Sequence, residues 1–140
     1  GGEKPGTYAP YDDGVKMDIF IKNASGKILV GHQWNKSGKT VYIDFSHPKA
    51  IDYWTKMFVD YHKKVAIDGS WNDMNEISNI ESKGSLYGCP KNSSFENPPY
   101  SPGRHDIAGN TICMTAVHSA GVNYNVHNLY PVYQARATNL

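Results

Sequence analysis

The sequence predicts an α/β fold, and three observations carry that prediction. Apolar residues recur at helical spacing from Ala50 to Val65, the short apolar run VAI follows at 65–67, and the polar cluster DGSWNDMNEISN occupies 68–79. Helix, then strand, then polar cluster implies a parallel α/β layout, since helix and strand alternate where strands would otherwise follow strands.

Residues 1–45 read as strands with a hairpin. In VKMDIFIK, Val15, Met17, Ile19 and Ile21 share one parity, the period of a half-buried strand. NASGK is a turn, and KILVGHQW (27–34) and KTVYIDF (39–45) are further strands separated by the polar NKSG. Residues 46–64 are a helix: Ala50, Ile51, Trp54, Met57, Phe58 and Tyr61 hold the period, Ser46 or His47 is the N-cap, Pro48 enters the first turn, and Lys63 and Lys64 complement the dipole. Residues 65–80 are a brief strand and the turn after it.

Residues 81–121 read as a long loop, rich in Gly, Ser, Pro and Asn as far as Asn110. A loop of that length is uncommon unless it is functional or stapled, and a bond between Cys89 and Cys113 would close most of it. Residues 122–140 carry Val122, Val126, Leu129, Tyr133 and Ala137 at near-helical spacing, with Pro131 inside the pattern to kink or interrupt it.

The 140 residues are one domain's worth of chain, and 39% hydrophobic content allows a packed core. Lys plus Arg number 14 against 13 acidic residues, so no basic block supports binding to nucleic acid or to an anionic membrane. No apolar run reaches membrane-spanning length, and the start GGEKPGTYAPYDDG has neither an initiator Met nor a signal-peptide pattern, so an excised or processed piece is expected. Two cysteines fit either a disulfide or two buried thiols. Three sequons, at Asn23, Asn35 and Asn92, favour an oxidising, secretory context and are candidate glycosylation sites.

The cluster at 68–79 is where chemistry is expected. In an extended segment Trp71 and Asp73 share one face while Asn72 and Met74 share the other. An aromatic plate beside a carboxylate suits a sugar site, since a pyranose stacks on the ring and a carboxylate facing the anomeric carbon can stabilise or trap an oxocarbenium-like transition state. Two other readings stand beside it. Asp and Asn after a strand form turns and caps, and Asp73 with Glu76 has the spacing of a capping box. Hard cations also take carboxylate and amide oxygens, although the spacing does not match an EF-hand loop.

Five ordered stretches bear a family resemblance. DGSWNDMNEISN resembles the W-x-D-M-N-E signature of glycoside hydrolase family 31, the α-glucosidase group. YAPYDDGVKMDIFIKN is similar to the family's segment ahead of its pocket tryptophan, and GHQW followed by TVYIDFSHP to G-x-V-W-P-G-x-T-x-F-P-D-F-x-x-P. CPKNSSFENPPYSPG resembles C-P-x-N-E-L-E-N-P-P-Y-x-P-G, and NYNVHNLY resembles H-Y-N-L-H-N-L-Y-G. The chain departs from the pattern at Trp34-Asn-Lys-Ser-Gly for W-P-G, at Tyr42-Ile43-Asp44-Phe45 for F-P-D-F, at Ile77 for the usual Pro and at Pro131 for Gly.

The resemblance implies a fragment of a (β/α)8 TIM barrel with an inserted β-hairpin and a long disulfide-stapled loop. It makes Asp73 the catalytic nucleophile, Glu76 a supporting neighbour, Trp34, Trp71 and Met74 sugar-pocket residues, and Cys89–Cys113 the loop's disulfide. The expected activity is that of a retaining α-glucosidase removing terminal non-reducing α-linked glucose from oligosaccharides, without metal or other cofactor, in a secreted or lysosome-like compartment. The alternatives are a non-catalytic carbohydrate-binding or regulatory relative, or an α-xylosidase, transglucosidase or α-glucan lyase of the same family. The family's acid/base aspartate has no counterpart in this chain, and a complete barrel needs about 250 residues. The piece is therefore expected to be inactive alone, prone to aggregate through unpaired strand edges, and partnered by an α-glucoside or malto-oligosaccharide and by the remainder of its own barrel.

Overall fold

The structure is a computed structural model that describes residues 4–34, 38–80, 83–101 and 106–139. The sequon asparagine Asn35 lies outside them. In chain order the elements are α1 (Ala9–Met17), β1 (Val30–Gly31), β2 (Thr40–Val41), α2 (Ala50–His62), β3 (Val117–His118), β4 (Gly121–Val122), α3 (Asn123–Val126), a 3-10 turn (His127–Leu129) and α4 (Tyr130–Thr138).

The strand expected at 15–22 is half helix. Pro10 sits in the first turn of α1, where its missing N–H costs nothing, and Asp12 lies at the positive end of the dipole. Asp18 ends the helix in the left-handed region, its N–H donating to the carbonyls of Gly14 and Val15. The alternation of Val15 and Met17 thus falls in the last helical turn, and only the chain beyond Asp18 is extended. There Ile21 donates to Tyr42 O at 2.8 Å, Leu29 to Ile21 O at 2.9 Å and Asp44 to Ile19 O at 2.7 Å. Segment 19–22 is thereby held between the segments that carry β1 and β2. β1 and β2 pair antiparallel, Val30 opposite Val41 and Gly31 opposite Thr40, and β3 and β4 form a second antiparallel pair. The described residues show a parallel pairing at Gly84 with Ile112.

α2 is shorter than the expected 46–64 and its N-cap is Lys49. Ser46 is unavailable as a cap because its Oγ donates to Asp44 and accepts from the Ala120 N–H, and His47 Nδ1 accepts from the Lys49 N–H. Ala50 and Tyr53 bury the inner face of the helix. Trp54 packs edge-on to Phe45 and Phe58, with ring centroids 5.1 and 5.2 Å away, and Phe45 meets Tyr130 of α4 at 5.4 Å. Across the other end, Phe20 lies between Tyr11 of α1 and Tyr53 of α2. The main core joins Ile21, Leu29, Phe45, Ile77, Ile112 and Ala137.

The expected strand at 65–67 forms no ladder. A strand requires backbone partners beside it, and no described segment hydrogen-bonds the backbone of residues 66–73. Pro131 marks an interruption of the 122–140 pattern: it occupies the first turn of α4 and opens a new helix after the 3-10 turn. The 81–121 region contains β3, the first residue of β4 and a cross-link. Cys89 and Cys113 are disulfide-bonded with Cα atoms 5.5 Å apart. Gly84, at φ +72°, lies so close that a Cβ would stand 2.0 Å from Cys89 Sγ. Among the described residues no helix is long and apolar enough to cross a membrane.

Candidate active site

The cluster at 68–79 is an open turn fixed at both ends. Its leading end is tied to the helix layer: Thr138 Oγ1, on α4, lies 3.3 Å from Asn72 Oδ1 and accepts the Trp54 indole N–H of α2 at 3.0 Å. Asn72 therefore points to the helices. Trp71, 87% exposed, and the exposed Asp73 occupy the open surface. Their separation from Asn72 agrees with the period-two argument.

Beyond Asp73 the chain turns sharply. Met74 has φ +59°, its N–H donates to the Asp73 Oδ1 at 2.9 Å, and the Ser78 N–H closes the turn on Met74 O at 3.1 Å. Met74 is half-buried and Glu76 exposed, so the capping-box reading finds no helix to cap: this turn continues as irregular chain. The peptide between Glu76 and Ile77 is cis. Ile77 and Ser78 are buried, and Asn79 ends the turn inside the core.

Trp34 is 69% exposed at the end of the β1 segment. Among the described residues no ring contact or hydrogen bond joins it to Trp71 or Asp73. Its link to the turn runs through the backbone of His32, whose N–H donates to Asn79 Oδ1 at 2.9 Å.

Two other places compete for the role of a site, and neither has the chemistry. A concavity of about 1200 Å³ lies between α1, α2 and β2, walled by Phe20, Val41, Tyr53 and Met57. Its carboxylates, Asp13 and Asp60, are both held by Lys56, at 2.9 and 2.8 Å, so neither is poised to act on a sugar. Cys89, Glu96 and Cys113 converge closely enough to suggest metal ligands. The disulfide consumes both thiolates, however, and Glu96 already accepts from the Met114 and Thr115 N–H groups and the Thr115 hydroxyl. That carboxylate anchors the stapled loop.

Sequence reasoning passed over the buried polar residues that hold this frame. Asp44, 4% exposed, accepts from the Ser46 N–H at 3.0 Å and hydroxyl at 2.6 Å, and from the Ser119 N–H at 2.6 Å. It thus ties the entry of α2 to the β3–β4 turn. His118 lies beside it, Nδ1 to Oδ1 3.8 Å, with Nε2 3.1 Å from Asn123 Oδ1. Burial pushes the His118 imidazole below its ordinary value, against the Asp44 charge that raises it. Asn123 Nδ2 reaches the carbonyls of Ile112 and Cys113. A polar residue inside an otherwise apolar stretch was the available signal, since such groups are retained only when bonded.

Trp71 and Asp73 thus face solvent on a turn whose leading end is braced against the helix layer. The chain matches the glycosyl hydrolases family 31 TIM-barrel domain over residues 2–139, and it belongs to that family. It is similar to the lysosomal alpha-glucosidase of Bos taurus, 42% identical over 136 residues that cover 96% of this chain and 14% of that protein. It is also similar to the intestinal sucrase-isomaltase of Homo sapiens, 39% identical over 94% of this chain and 7% of that protein. The crystal structure of the glucosidase II alpha subunit bound to alpha3-Glc2 shares the fold, with a TM-score of 0.68 and 22% identity over 97% of this chain and 12% of that one. The chain thus spans a small part of the proteins it matches. The barrel membership also accounts for the unpaired 66–73 segment, because barrel strands are hydrogen-bonded on both sides by other strands of the closed sheet.

Proposed function

We propose that this chain is the nucleophile-bearing part of a retaining α-glucosidase that removes terminal non-reducing α-linked glucose from oligosaccharides. The observation that carries the reading is the open turn itself, with Trp71 and Asp73 facing outward while Asn72 is held back against α4. Asp73 attacks the anomeric carbon and forms a covalent glycosyl-enzyme, and water then releases the sugar with retention. Trp71, Met74 and Trp34 line the glucose pocket, and Glu76 supports the nucleophile without acting as the acid. Retaining chemistry needs a second carboxyl group about 5 to 5.5 Å from the first, and the remainder of the barrel supplies it.

The relatives' names, alpha-glucosidase and sucrase-isomaltase, support an α-glucoside substrate, and the lysosomal relatives support a secretory-pathway destination. In that setting Asn92, exposed on the stapled loop, and Asn23, in the turn after segment 19–22, are glycan acceptors along with Asn35. The test compares hydrolysis of a nitrophenyl α-glucoside by the full-length protein, its Asp73→Asn variant and the 140-residue chain. The expected result is turnover by the first alone. Turnover by the folded Asp73→Asn variant, or a full-length protein that binds the glucoside without cleaving it, would overturn the reading.

A further inference from the structure

We infer that Asn79 is a positioning residue that fixes the nucleophile turn against the strand leading to Trp34, so that the two sides of the sugar site are set by one buried amide. The inference rests on the assignment of Asp73 as nucleophile. Asn79 is 0% exposed and lies six residues after Asp73 in the chain. Its Oδ1 accepts from the His32 N–H at 2.9 Å and the Tyr42 hydroxyl at 3.2 Å, and its Nδ2 donates to Thr111 O at 3.2 Å. Its own N–H donates to Asn110 O at 3.0 Å. One side chain thus joins the end of the nucleophile turn to β1, to the strand segment after β2 and to the chain leading into the disulfide.

The orientation of the amide is forced. The His32 N–H on one side requires an oxygen, to which the Tyr42 hydroxyl also donates, and a backbone carbonyl on the other requires an N–H. Burial pushes the Tyr42 phenol above its ordinary value, so it remains a donor at any working pH. The space is equally committed. A Cβ on Gly31 would lie 2.5 Å from the Tyr42 hydroxyl oxygen and 2.6 Å from Asn79 Oδ1, so only glycine lets β1 pass at this point.

Among the described residues the Asp73 carboxylate accepts a hydrogen bond from the N–H of the next residue, and such a local bond moves with the turn. The fixed points are Asn72 before it and Asn79 after it, and of these Asn79 also carries His32, two residues ahead of Trp34. A shift of the amide displaces the carboxylate and the indole relative to each other, and a misplacement near 1 Å costs roughly a hundredfold in rate.

The test uses the full-length protein and a fluorinated glucosyl fluoride that traps the glycosyl-enzyme, with kcat and KM measured on a nitrophenyl α-glucoside. Asn79→Leu keeps the number and branching of the side-chain heavy atoms and removes the amide; Tyr42→Phe removes a single donor and leaves the packing. For Asn79→Leu the expected loss is about 10- to 100-fold in kcat and in the labelling rate of Asp73 per folded molecule, with KM changed by less than about threefold. For Tyr42→Phe it is a few-fold loss of the same kind. If Asn79→Leu does not fold, Tyr42→Phe decides by itself. Lower melting temperatures with unchanged kcat and labelling rate per folded molecule would overturn the inference and leave Asn79 a purely structural residue. Labelling of unmutated protein on a residue other than Asp73 would remove the nucleophile assignment, and this inference with it; that failure is distinct because it appears before any substitution is made.

Discussion

Asp44→Asn is a change of one atom type at a site where the structure leaves no room for it. The carboxylate uses both oxygens: Oδ1 takes the Ser46 N–H and hydroxyl, and Oδ2 takes the Ser119 N–H at 2.6 Å. Asparagine has one acceptor oxygen. If that oxygen stays with Ser46, the new NH2 faces the Ser119 N–H, donor against donor. The variant loses a charge-assisted hydrogen bond worth about 1.5–3 kcal/mol and strands a partly buried N–H, while easier desolvation of a neutral amide gives some of that back. The net expectation is a destabilisation of about 2–3 kcal/mol, against about 1 kcal/mol for Ser46→Ala, which removes one donor from a carboxylate that keeps its others. Thermal melting of the full-length protein reads the difference. At roughly 2–4 °C per kcal/mol for a domain of this size class, Asp44→Asn lowers the midpoint by about 5–10 °C and Ser46→Ala by a few degrees. An Asp44→Asn midpoint equal to or above that of Ser46→Ala would refute the claim that Asp44 cross-ties the α2 entry to the β3–β4 turn.

Two further outcomes follow from the same frame. Replacing Cys89 and Cys113 together by serine opens a link between residues 24 apart, and loop entropy sets the loss at about 3–4 kcal/mol, read as a lower urea midpoint under oxidising conditions; an unchanged midpoint would mean the contacts of half-buried Glu96 and buried Asn123 already hold the loop closed. Burial holds the folded imidazoles of His118 and His127 below the ordinary histidine value, so the unfolded chain takes up protons first as pH falls. Stability is then fully present above about pH 6.5 to 7 and declines as pH drops from there toward the folded values. His118→Gln is expected to flatten that slope between about pH 7 and pH 5, and a slope unchanged in the variant would contradict the buried-neutral histidine.

Legibility in the sequence tracked the range of the forces involved. α2 could be read because its apolar period is local, and the expected disulfide, carried by the family resemblance, is present. α1 was obscured because Val15 and Met17 mimic strand parity, while the decisive signals were Pro10 at one end and the left-handed Asp18 at the other. The run at 65–67 has strand composition but lacks, within the described residues, the neighbours that would make it a strand. That Trp71 and Asp73 turn away from Asn72 was legible from alternation. The anchors were not, because a hydrogen bond across 47 residues, as from His32 to Asn79, or across 75, as from Ser119 to Asp44, leaves no periodic trace in either partner.

If Asp73 is the nucleophile, its carboxylate forms a covalent bond to the anomeric carbon during turnover. That bond can be read from full-length protein stalled with the fluorinated glucosyl fluoride, digested and mapped by mass spectrometry. The expected result is one added glycosyl unit on the peptide containing WNDMNE, located at Asp73 and absent from the Asp73→Asn variant. A glycosyl unit on any other residue, or inactivation without covalent attachment, would contradict it.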